Sequence, residues 1–377
     1  MLKSHRRLRV GVVALFISLA SAAGLAQTKL LRFPDIYGDK LVFTYASDLW
    51  IAPVTGGTAT RLTAHPGMEL FAKFSPDGKW IAFTGQYDGD EQVYVIPVTG
   101  GEPRQLTFYP ARGPFSHRWG YDNQVYGWTP DGKSILFRSH RDSWTLGSTH
   151  LYTVPVTGGP AELLPMPESG AGDYSADGKQ IVYSPKARDF RSEKRYSGGQ
   201  ANDLFIFDLK TYETRKVADS VRADRDPMWI GNTIYYNSDR DGHFNLYAFE
   251  VAGGKTSQVT FNKQWDVRWP SSDNTGKIVF ELDGELQVFD TKSRKTTSVS
   301  ITVPDDGLAR RASRVSLPQG ARRPAGRCGA RRGQVGDRAV DPGVSGVGGI
   351  GHWGSSGVRP HRPVSGAPPL GWWSVPR

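Results

Sequence analysis

The stretch Phe74-Ser-Pro-Asp-Gly-Lys79 runs directly into Trp80-Ile-Ala-Phe83, and Val93-Tyr-Val-Ile-Pro-Val-Thr-Gly-Gly101 follows before Gln105-Leu-Thr107. In Pro-Asp-Gly, proline fixes φ, glycine tolerates positive φ, and the aspartate can bond the backbone two residues further on, which together favour a tight turn. The Gly-Gly pair favours a second hairpin turn. The runs between the turns are β-branched and aromatic, as is typical of buried strands. This stretch therefore predicts consecutive β-hairpins.

The same order of turns and strands returns along the chain in six units, at residues 38–63, 74–107, 128–159, 174–207, 229–260 and 269–289. A repeat of roughly 40 to 60 residues, made of short strands and glycine turns, is typical of a β-propeller blade. Helical periodicity is absent from residues 30–300, and radial closure would remove the exposed edges of so many strands. We predict an all-β fold, a six-bladed β-propeller of the TolB or WD40-like kind, over residues 27–303.

Two segments interrupt the regular spacing of the units. Tyr109–Asn123 and Ala187–Ala201 are rich in Arg, Gly, Ser and Tyr and lack a strand pattern. Loops on a rigid scaffold are where binding tends to reside. We expect both insertions to form loops on one rim of the propeller.

Residues 1–26 have the pattern of a targeting segment. Four basic residues precede the apolar stretch Val10–Ala20, and Gly24-Leu-Ala26 forms a small-residue cleavage site before Gln27. An apolar stretch of about 11 residues is too short for a membrane-crossing helix, which needs about 20. We therefore predict a secretory signal peptide and a periplasmic or secreted protein with no membrane segment after cleavage. Cys328 is the single cysteine, which excludes a disulfide framework.

The formal net charge of +10 is concentrated at the C-terminal end of the chain. Residues 310–377 contain twelve Arg, no Lys, two Asp and no Glu, which leaves 35 basic and 35 acidic residues in the rest of the chain. We predict that residues 304–377 form a linker and a disordered, non-native Arg/Gly/Pro-rich tail, as a frameshift would produce, because this composition cannot bury a core. Since the repeat region has no cationic surface for phosphates, we expect no nucleic-acid partner.

Motifs for catalysis and for metals are absent or incomplete. His140-Arg141-Asp142 matches a kinase tripeptide without the Leu that should follow it or a nucleotide loop, so we interpret it as a blade turn like Ser238–Gly242. The acidic stretches Asp88–Glu91 and Asp239–Gly242 lack the closing Glu of a calcium loop, and the His and Cys pattern supports no zinc site. No G-x-S-x-G elbow is credible, although a triad of distant residues stays open because triads are defined by geometry.

We assign no catalytic, cofactor-binding or metal-binding residue and expect no cofactor. Trp128, Trp229 and Trp269 each precede a repeat turn. For that reason we interpret these three tryptophans as inter-blade core and not as a stacking platform for a ligand.

Five longer runs carry a family resemblance: Phe33-Pro-Asp-Ile-Tyr-Gly-Asp-Lys-Leu-Val-Phe43, Asp48-Leu-Trp50, Arg61-Leu-Thr-Ala-His-Pro-Gly67, Asp224-Arg-Asp-Pro-Met-Trp-Ile-Gly231 and Tyr235-Tyr-Asn-Ser-Asp-Arg-Asp-Gly242. Over about residues 29–316 the chain resembles the N-terminal six-bladed propeller of tricorn-type proteases. The motif Phe-Ser-Pro-Asp-Gly-Lys is shared with TolB-type periplasmic and dipeptidyl-peptidase propellers, so the runs from Phe33 and Asp224 are the more specific ones.

The resemblance implies a multimeric serine peptidase in which a six-bladed and a seven-bladed propeller precede a PDZ-like module and a catalytic region. The chain leaves the family pattern near Ser316, so we expect no counterpart of the PDZ-like module or of the catalytic Ser and His. The expected function is the propeller portion of a tricorn-like serine protease that binds or gates peptides or unfolded polypeptide for proteolysis. We expect it to be inactive alone and to belong to a homo-oligomer in the full-length family context.

Two other functions stay open. A TolB-like periplasmic protein–protein interaction scaffold predicts a small α/β domain before the propeller, and only a few residues separate Gln27 from the first unit. A nucleic-acid binder would depend on the Arg-rich tail, and its binding would be lost on truncation after Ser316.

Overall fold

The computed structural model describes residues 28–110, 120–143, 145, 147–187, 190, 194–217 and 220–304. Within these residues the chain forms β-strands and turns and contains no helix, so none of them builds an apolar helix long enough to span a membrane. The predicted signal peptide, most of the predicted tail and parts of both insertions lie outside the described residues, and those interpretations stay predictions.

The strands form six four-stranded antiparallel sheets in chain order, one for each predicted unit. Blade 1 contains β1 (Arg32–Tyr37), β2 (Lys40–Tyr45), β3 (Asp48–Pro53) and β5 (Thr60–Arg61). Blade 2 contains β6 (Glu69–Phe74), β7 (Trp80–Gly85), β8 (Gln92–Pro97) and β9 (Arg104–Gln105). Blade 3 contains β10 (Gln124–Trp128), β11 (Ser134–Ser139), β12 (His150–Pro155) and β13 (Glu162–Leu163).

Blade 4 contains β14 (Ala171–Tyr174), β15 (Gln180–Ser184), β16 (Phe205–Asp208) and β17 (Thr214–Lys216). Blade 5 contains β18 (Asp224–Ile230), β19 (Thr233–Ser238), β20 (Asn245–Glu250) and β21 (Thr256–Gln258). Blade 6 contains β22 (Arg268–Ser272), β23 (Lys277–Leu282), β24 (Glu285–Asp290) and β25 (Lys295–Val299). The first strand of each blade contacts the first strands of its two neighbours, and β22 returns to β1, which confirms the six-bladed ring.

The hydrophobic core lies between neighbouring blades. Each second strand buries an aromatic ring at the same register position: Phe43, Phe83, Phe137, Tyr183, Tyr236 and Phe280. Burial of one such ring stabilises the fold by about 1.5 to 3 kcal/mol. The prediction of buried aromatic middle strands is therefore confirmed.

The repeated Leu-Thr or Val-Thr pair at the end of a blade has a structural cause. The hydroxyls of Thr63, Thr107 and Thr260 each accept a hydrogen bond at 2.9 Å from the backbone N–H of the second residue of the third strand in the same blade. The Thr107 hydroxyl also donates to the side-chain oxygen of Gln92, at 2.6 Å. The threonine of each pair thus links the segment after the fourth strand to the start of the third strand.

The Pro-Asp-Gly turns follow the predicted geometry. In the turn after β6, the Ser75 hydroxyl donates to the Asp77 carboxylate at 2.6 Å, and the N–H of Lys79 donates to the same oxygen at 3.1 Å. Gly78 has a φ of +67°, a conformation that glycine adopts without steric cost. We call the face formed by the turns between first and second strands the turn rim.

The opposite face, which we call the insertion rim, contains the segments that enter the first strands and those that join second to third strands. Tyr109–Asn123 precedes β10, and Ala187–Ala201 joins β15 to β16. Because strands within a blade are antiparallel, both insertions meet the same rim. Their described parts confirm the expectation, since the rings of Tyr121 and Phe190 lie 5.4 Å apart.

The ring is closed by two short segments from opposite ends of the propeller. β26 (Ile301–Thr302) pairs in parallel with β4 (Gly57–Thr58) on blade 1. The N–H of Thr28 donates to Ile301 O at 2.9 Å, and the N–H of Val303 donates to the Thr28 hydroxyl at 2.9 Å. These contacts join blade 6 to blade 1 by hydrogen bonds in addition to the apolar packing between them.

Candidate functional site: the central channel

A cavity of about 630 Å³ follows the axis of the propeller and is lined by residues from the first strands of all six blades. This volume lies within the roughly 300–1,000 Å³ of small-ligand sites. The channel is therefore large enough to hold a few residues of an extended peptide.

Four of the first strands share one irregularity that shapes the channel. In β1, β6, β18 and β22, two residues oppose a single residue of the second strand, and the first of the two has positive φ. These residues are Phe33 (+49°), Phe71 (+56°), Asp226 (+54°) and Trp269 (+49°). A β-bulge of this kind bends the strand and redirects a side chain, and the positive φ of a bulky aromatic residue carries a conformational cost. All four residues line the channel.

Sequence reasoning missed these bulges, although a signal was present. Three of the four positive-φ residues are followed by proline, at Pro34, Pro227 and Pro270. Proline cannot donate to the strand ladder and is confined within sheets to edges, strand starts and bulges. A proline inside the first strand of a blade was therefore the sign of a bulge.

Five aromatic rings meet at the insertion rim, and we call them the aromatic floor: Phe33, Phe71, Tyr121, Phe190 and Trp269. The ring centroids of Phe33 lie 4.4 Å from Phe71 and 4.7 Å from Trp269, and Phe190 lies 4.9 Å from Trp269. Phe190 belongs to blade 4, which faces blade 1 across a six-membered ring, yet its ring lies 6.4 Å from that of Phe33. The aromatic floor thus spans the channel.

The interpretation of the three tryptophans as inter-blade core was right for two of them. Trp128 and Trp229 are buried in clusters between blades. It was wrong for Trp269, which occupies the bulge position of Phe33 and Phe71. The register explains the error, because Ser272 holds the position in blade 6 that Trp128 and Trp229 hold in blades 3 and 5.

The next level of the channel is formed by one residue from each blade at the same register position, and we call it the channel ring: Asp35, Lys73, Gly127, Asp173, Met228 and Ser271. Asp35 links three blades, since it accepts hydrogen bonds from the N–H of Phe74 at 2.7 Å and from the Ser271 hydroxyl at 2.5 Å. The Lys73 ammonium donates to the Ser271 oxygen at 2.5 Å and lies 3.8 Å from Asp35.

Asp173 lies on the blade opposite Asp35 and makes the contact that corresponds to the one between Asp35 and the N–H of Phe74. Its carboxylate accepts a hydrogen bond at 2.7 Å from the N–H of Trp229 on the next blade. Burial raises the pKa of Asp173 to about 6, against the N–H groups of Trp229 and Tyr174 and the charge of Lys73, which lower it. Burial also raises the pKa of Asp35, with the charge of Lys73 as the main opposing effect. Asp173 is thus largely ionised at neutral pH.

The walls of the cavity carry more acid than base. Four carboxylates line it, from Asp35, Asp173, Asp226 and Asp273, against the ammonium groups of Lys73 and Lys277. A channel with low-dielectric walls focuses the field of such an excess. The cavity therefore favours a cationic ligand over an anionic one.

Two of the three sequence segments with a superficial catalytic or metal-binding pattern are turns between the second and third strands of a blade, as predicted. In His140–Asp142 and Ser238–Gly242, the arginine donates from Nε to the serine two residues before it, at 3.1 and 3.0 Å. The same arginine stacks on a tyrosine of the third strand, Tyr152 or Tyr247. Among the described residues, no three His, Cys, Asp or Glu side chains come together as a metal site would require.

The family described as the tricorn protease N-terminal beta propeller domain matches residues 28–295, which cover blades 1 to 5 and the first three strands of blade 6. This chain belongs to that family. A tricorn protease homolog from Streptomyces coelicolor is 31% identical over 262 residues, which cover 69% of this chain and 23% of the relative. The crystal structure of the tricorn protease superimposes with a TM-score of 0.64 at 24% identity, covering 72% of this chain and 26% of that one.

The tricorn-family propeller also shares its fold with a protein assigned as TolB from Agrobacterium tumefaciens. That structure has a TM-score of 0.50 at 18% identity and covers 64% of this chain and 83% of the TolB chain. This chain spans about a quarter of the length of the curated tricorn relatives that it matches.

Proposed function

We propose that this chain is the peptide-binding propeller of a tricorn-type serine peptidase and that it cleaves no peptide bond by itself. The observation that carries the proposal is the central channel, which is lined by the first strands of all six blades in a chain of the tricorn N-terminal propeller family. Polar side chains and backbone groups along six inner strands can bond an extended peptide. In this proposal, the cleavage, multimer formation and serine peptidase mechanism that the resemblance implies belong to the longer proteins of the family.

The contacts of Ser271 place it in the scaffold of the channel. Its hydroxyl donates a hydrogen bond to Asp35 and accepts one from the Lys73 ammonium. This serine is held as a structural link between blades.

Peptide binding is tested by fluorescence anisotropy with a labelled, unstructured peptide and the purified chain. Gly127 offers a way to block the channel, because a Cβ added there meets no atom within 4 Å. We expect Gly127→Trp to abolish binding, whereas Gly253→Trp, in an exposed outer hairpin of blade 5, keeps it. Equal binding by the two variants would overturn the assignment of the channel.

Absence of cleavage is tested with fluorogenic peptides. We expect no turnover by the purified chain or by the Ser271→Ala variant. Turnover that stays with the wild-type chain through further purification and disappears in Ser271→Ala would contradict the proposal.

We also propose that the mature chain acts in the periplasm or outside the cell, because Val10–Ala20 and the small residues before Gln27 have the pattern of a cleaved signal peptide. Expression in a Gram-negative host, followed by fractionation and N-terminal sequencing, tests this location. A periplasmic product that begins at Gln27 is expected. An uncleaved product in the cytoplasmic fraction would refute it.

A second candidate function, a protein–protein interaction scaffold, is favoured by the insertion rim. Four large apolar side chains there are widely exposed: Phe108 (76%), Val221 (75%), Phe261 (68%) and Trp265 (48%). Each lies in a segment that joins one blade to the next. If a folded partner binds this rim, Phe108→Ser with Phe261→Ser will abolish its binding while Gly127→Trp leaves it intact, which is the reverse of the result for a channel ligand.

A further inference from the structure

The channel has two unlike ends. At the insertion rim the aromatic floor spans it, and the contact between Phe190 and Phe33 joins opposite blades. At the turn rim the cavity is lined by the small turn residues Pro76, Pro130 and Ala176, and no ring–ring contact joins opposite blades there among the described residues. The cavity is therefore a blind pocket that opens at the turn rim and ends at the aromatic floor.

A blind pocket receives the end of a chain or a long side chain, whereas an open channel lets a chain pass through. The charge on its walls decides which kind of group is favoured. Asp35 has Lys73 beside it, at 3.8 Å. Asp173, on the opposite side, has no lysine or arginine within 4 Å among the described residues, and it accepts hydrogen bonds from the neutral N–H groups of Trp229 and Tyr174. A ligand cation would supply the missing charge.

The aromatic floor adds a second attraction of the same sign. The faces of Trp and Phe rings attract cations within about 6 Å of the ring centre, most strongly where water is excluded. Phe33, Phe71 and Trp269 lie at the closed end of the pocket, next to the channel ring. A group that is cationic at its tip and apolar along its stem fits both levels.

We propose that the channel captures peptides by an ammonium group, which enters from the turn rim, pairs with Asp173 and rests against the aromatic floor. The inference deepens the proposed peptide-binding function and rests on it. An ammonium group has two sources in a peptide, the free amino terminus and the lysine side chain, and the same contacts serve both.

Three probes separate these sources. Each is an unstructured Gly/Ala/Ser peptide with a fluorophore at its carboxyl end: one with a free amino terminus, one acetylated, and one acetylated with a single internal lysine. Anisotropy with the full chain at low salt and pH 7.5 measures each dissociation constant. We expect acetylation to weaken binding about tenfold, the size of one partly desolvated ion pair. Binding restored by the internal lysine would identify the side chain as an equivalent source.

The Asp173→Asn variant tests the pairing, because the amide oxygen can still accept the N–H of Trp229. We expect it to bind the free and acetylated probes equally, at the weak affinity of the acetylated one. The matched control is Asp77→Asn on the exposed turn rim, which should keep the tenfold preference. Trp269→Ala should weaken the ammonium-bearing probes and leave the acetylated one little changed.

A second readout does not depend on a variant. Affinity for the free-amine probe should fall as the pH is lowered through about 6, where Asp173 takes up a proton, and the acetylated probe should show no such fall. If all probes bind equally and Asp173→Asn changes nothing, the inference is wrong while peptide binding stands. If no probe binds, both the inference and the proposed function are refuted.

Discussion

On the turn rim, the turns after β6, β10 and β14 repeat the same contacts. Ser75, Thr129 and Ser175 each donate to the aspartate two residues on, at 2.6 to 2.7 Å. On the insertion rim, the residues at corresponding positions differ from blade to blade. This rim contains the buried carboxyl group of Glu69, the aromatic floor and both insertions. The difference indicates that repetition builds the ring, whereas departures from the repeat supply the chemistry of the channel.

The largest expected effect concerns Glu69, a fully buried carboxyl at the insertion rim. It accepts a hydrogen bond from the Thr63 hydroxyl at 3.0 Å. The pKa of Glu69 is raised to about 8, mainly by burial and also by the charge of Asp48, while hydrogen bonds from Thr63 and Tyr87 oppose the rise. Between the ordinary glutamate pKa of 4.5 and about 8, the folded chain holds a proton that the unfolded chain has lost.

The free energy of unfolding should therefore fall as the pH rises through that window, by on the order of 3 kcal/mol from this group. Melting temperatures at pH 5 and pH 8.5 check it, and Glu69→Gln should remove the share of the fall that comes from this group, while buried carboxyls such as Asp173, whose pKa is also raised, keep theirs. Asp77→Asn on the turn rim is the control and should keep the wild-type slope. A Glu69→Gln variant with the same slope would show that the two rims do not differ in this way.

The next effect compares hydroxyls on the two rims. Thr107→Val leaves the buried N–H of Val93 without its acceptor and should cost about 2 kcal/mol in the free energy of unfolding. Thr129→Val removes a partly exposed hydroxyl of the turn rim, where water replaces the lost bond, and should cost about 0.5 kcal/mol. Urea denaturation measures both, and a larger loss for Thr129→Val would contradict the comparison.

A third prediction tests how uniform the turn rim is. Gly78 and Gly132 have nearly the same φ, +67° and +68°, but an added Cβ would lie 2.1 Å from the Tyr37 ring at Gly78 and 3.7 Å from Pro76 at Gly132. Both alanine variants should lose about 1 kcal/mol from backbone strain. Gly78→Ala should lose about 1 kcal/mol more from overpacking. Equal midpoints in urea would mean that Tyr37 moves aside freely.

The smallest effect is expected for the surface ion pairs of the turn rim. Lys79 lies 3.4 Å from Asp77, and both side chains are largely exposed. Lys79→Ala should change the free energy of unfolding by less than about 0.5 kcal/mol, because water and salt screen such pairs. A loss above about 1 kcal/mol would show that the repeated turns depend on the lysine as well as on the aspartate.

The scaffold could be predicted from the sequence because its determinants are local. The Pro-Asp-Gly turns, the Leu-Thr pairs and the buried second strands each depend on residues close together in the chain. Both insertions could be recognised as loops because they interrupt the repeat and lack a strand pattern.

The site could be predicted only in part. Its groups come from distant blades: Ser271 contacts Lys73 and Asp35 across 198 and 236 residues of sequence. A repeat pattern shows which residues lie in the first strands but not that these three meet. Each bulge also adds one residue to a first strand and so changes the position of the residues before it. For this reason Trp269 was assigned to the inter-blade core, although it lines the channel.

The hydrogen bond between Val303 and Thr28 joins residues 275 positions apart. Forming such a contact costs the conformational entropy of closing a very long loop, and folds dominated by contacts between distant residues form slowly. Blades 2 to 5 can assemble with their neighbours as they emerge, whereas the seam between the last blade and the first has to wait for nearly the whole ring. The seam is therefore the place where folding finishes, and where the propeller should first come apart under load.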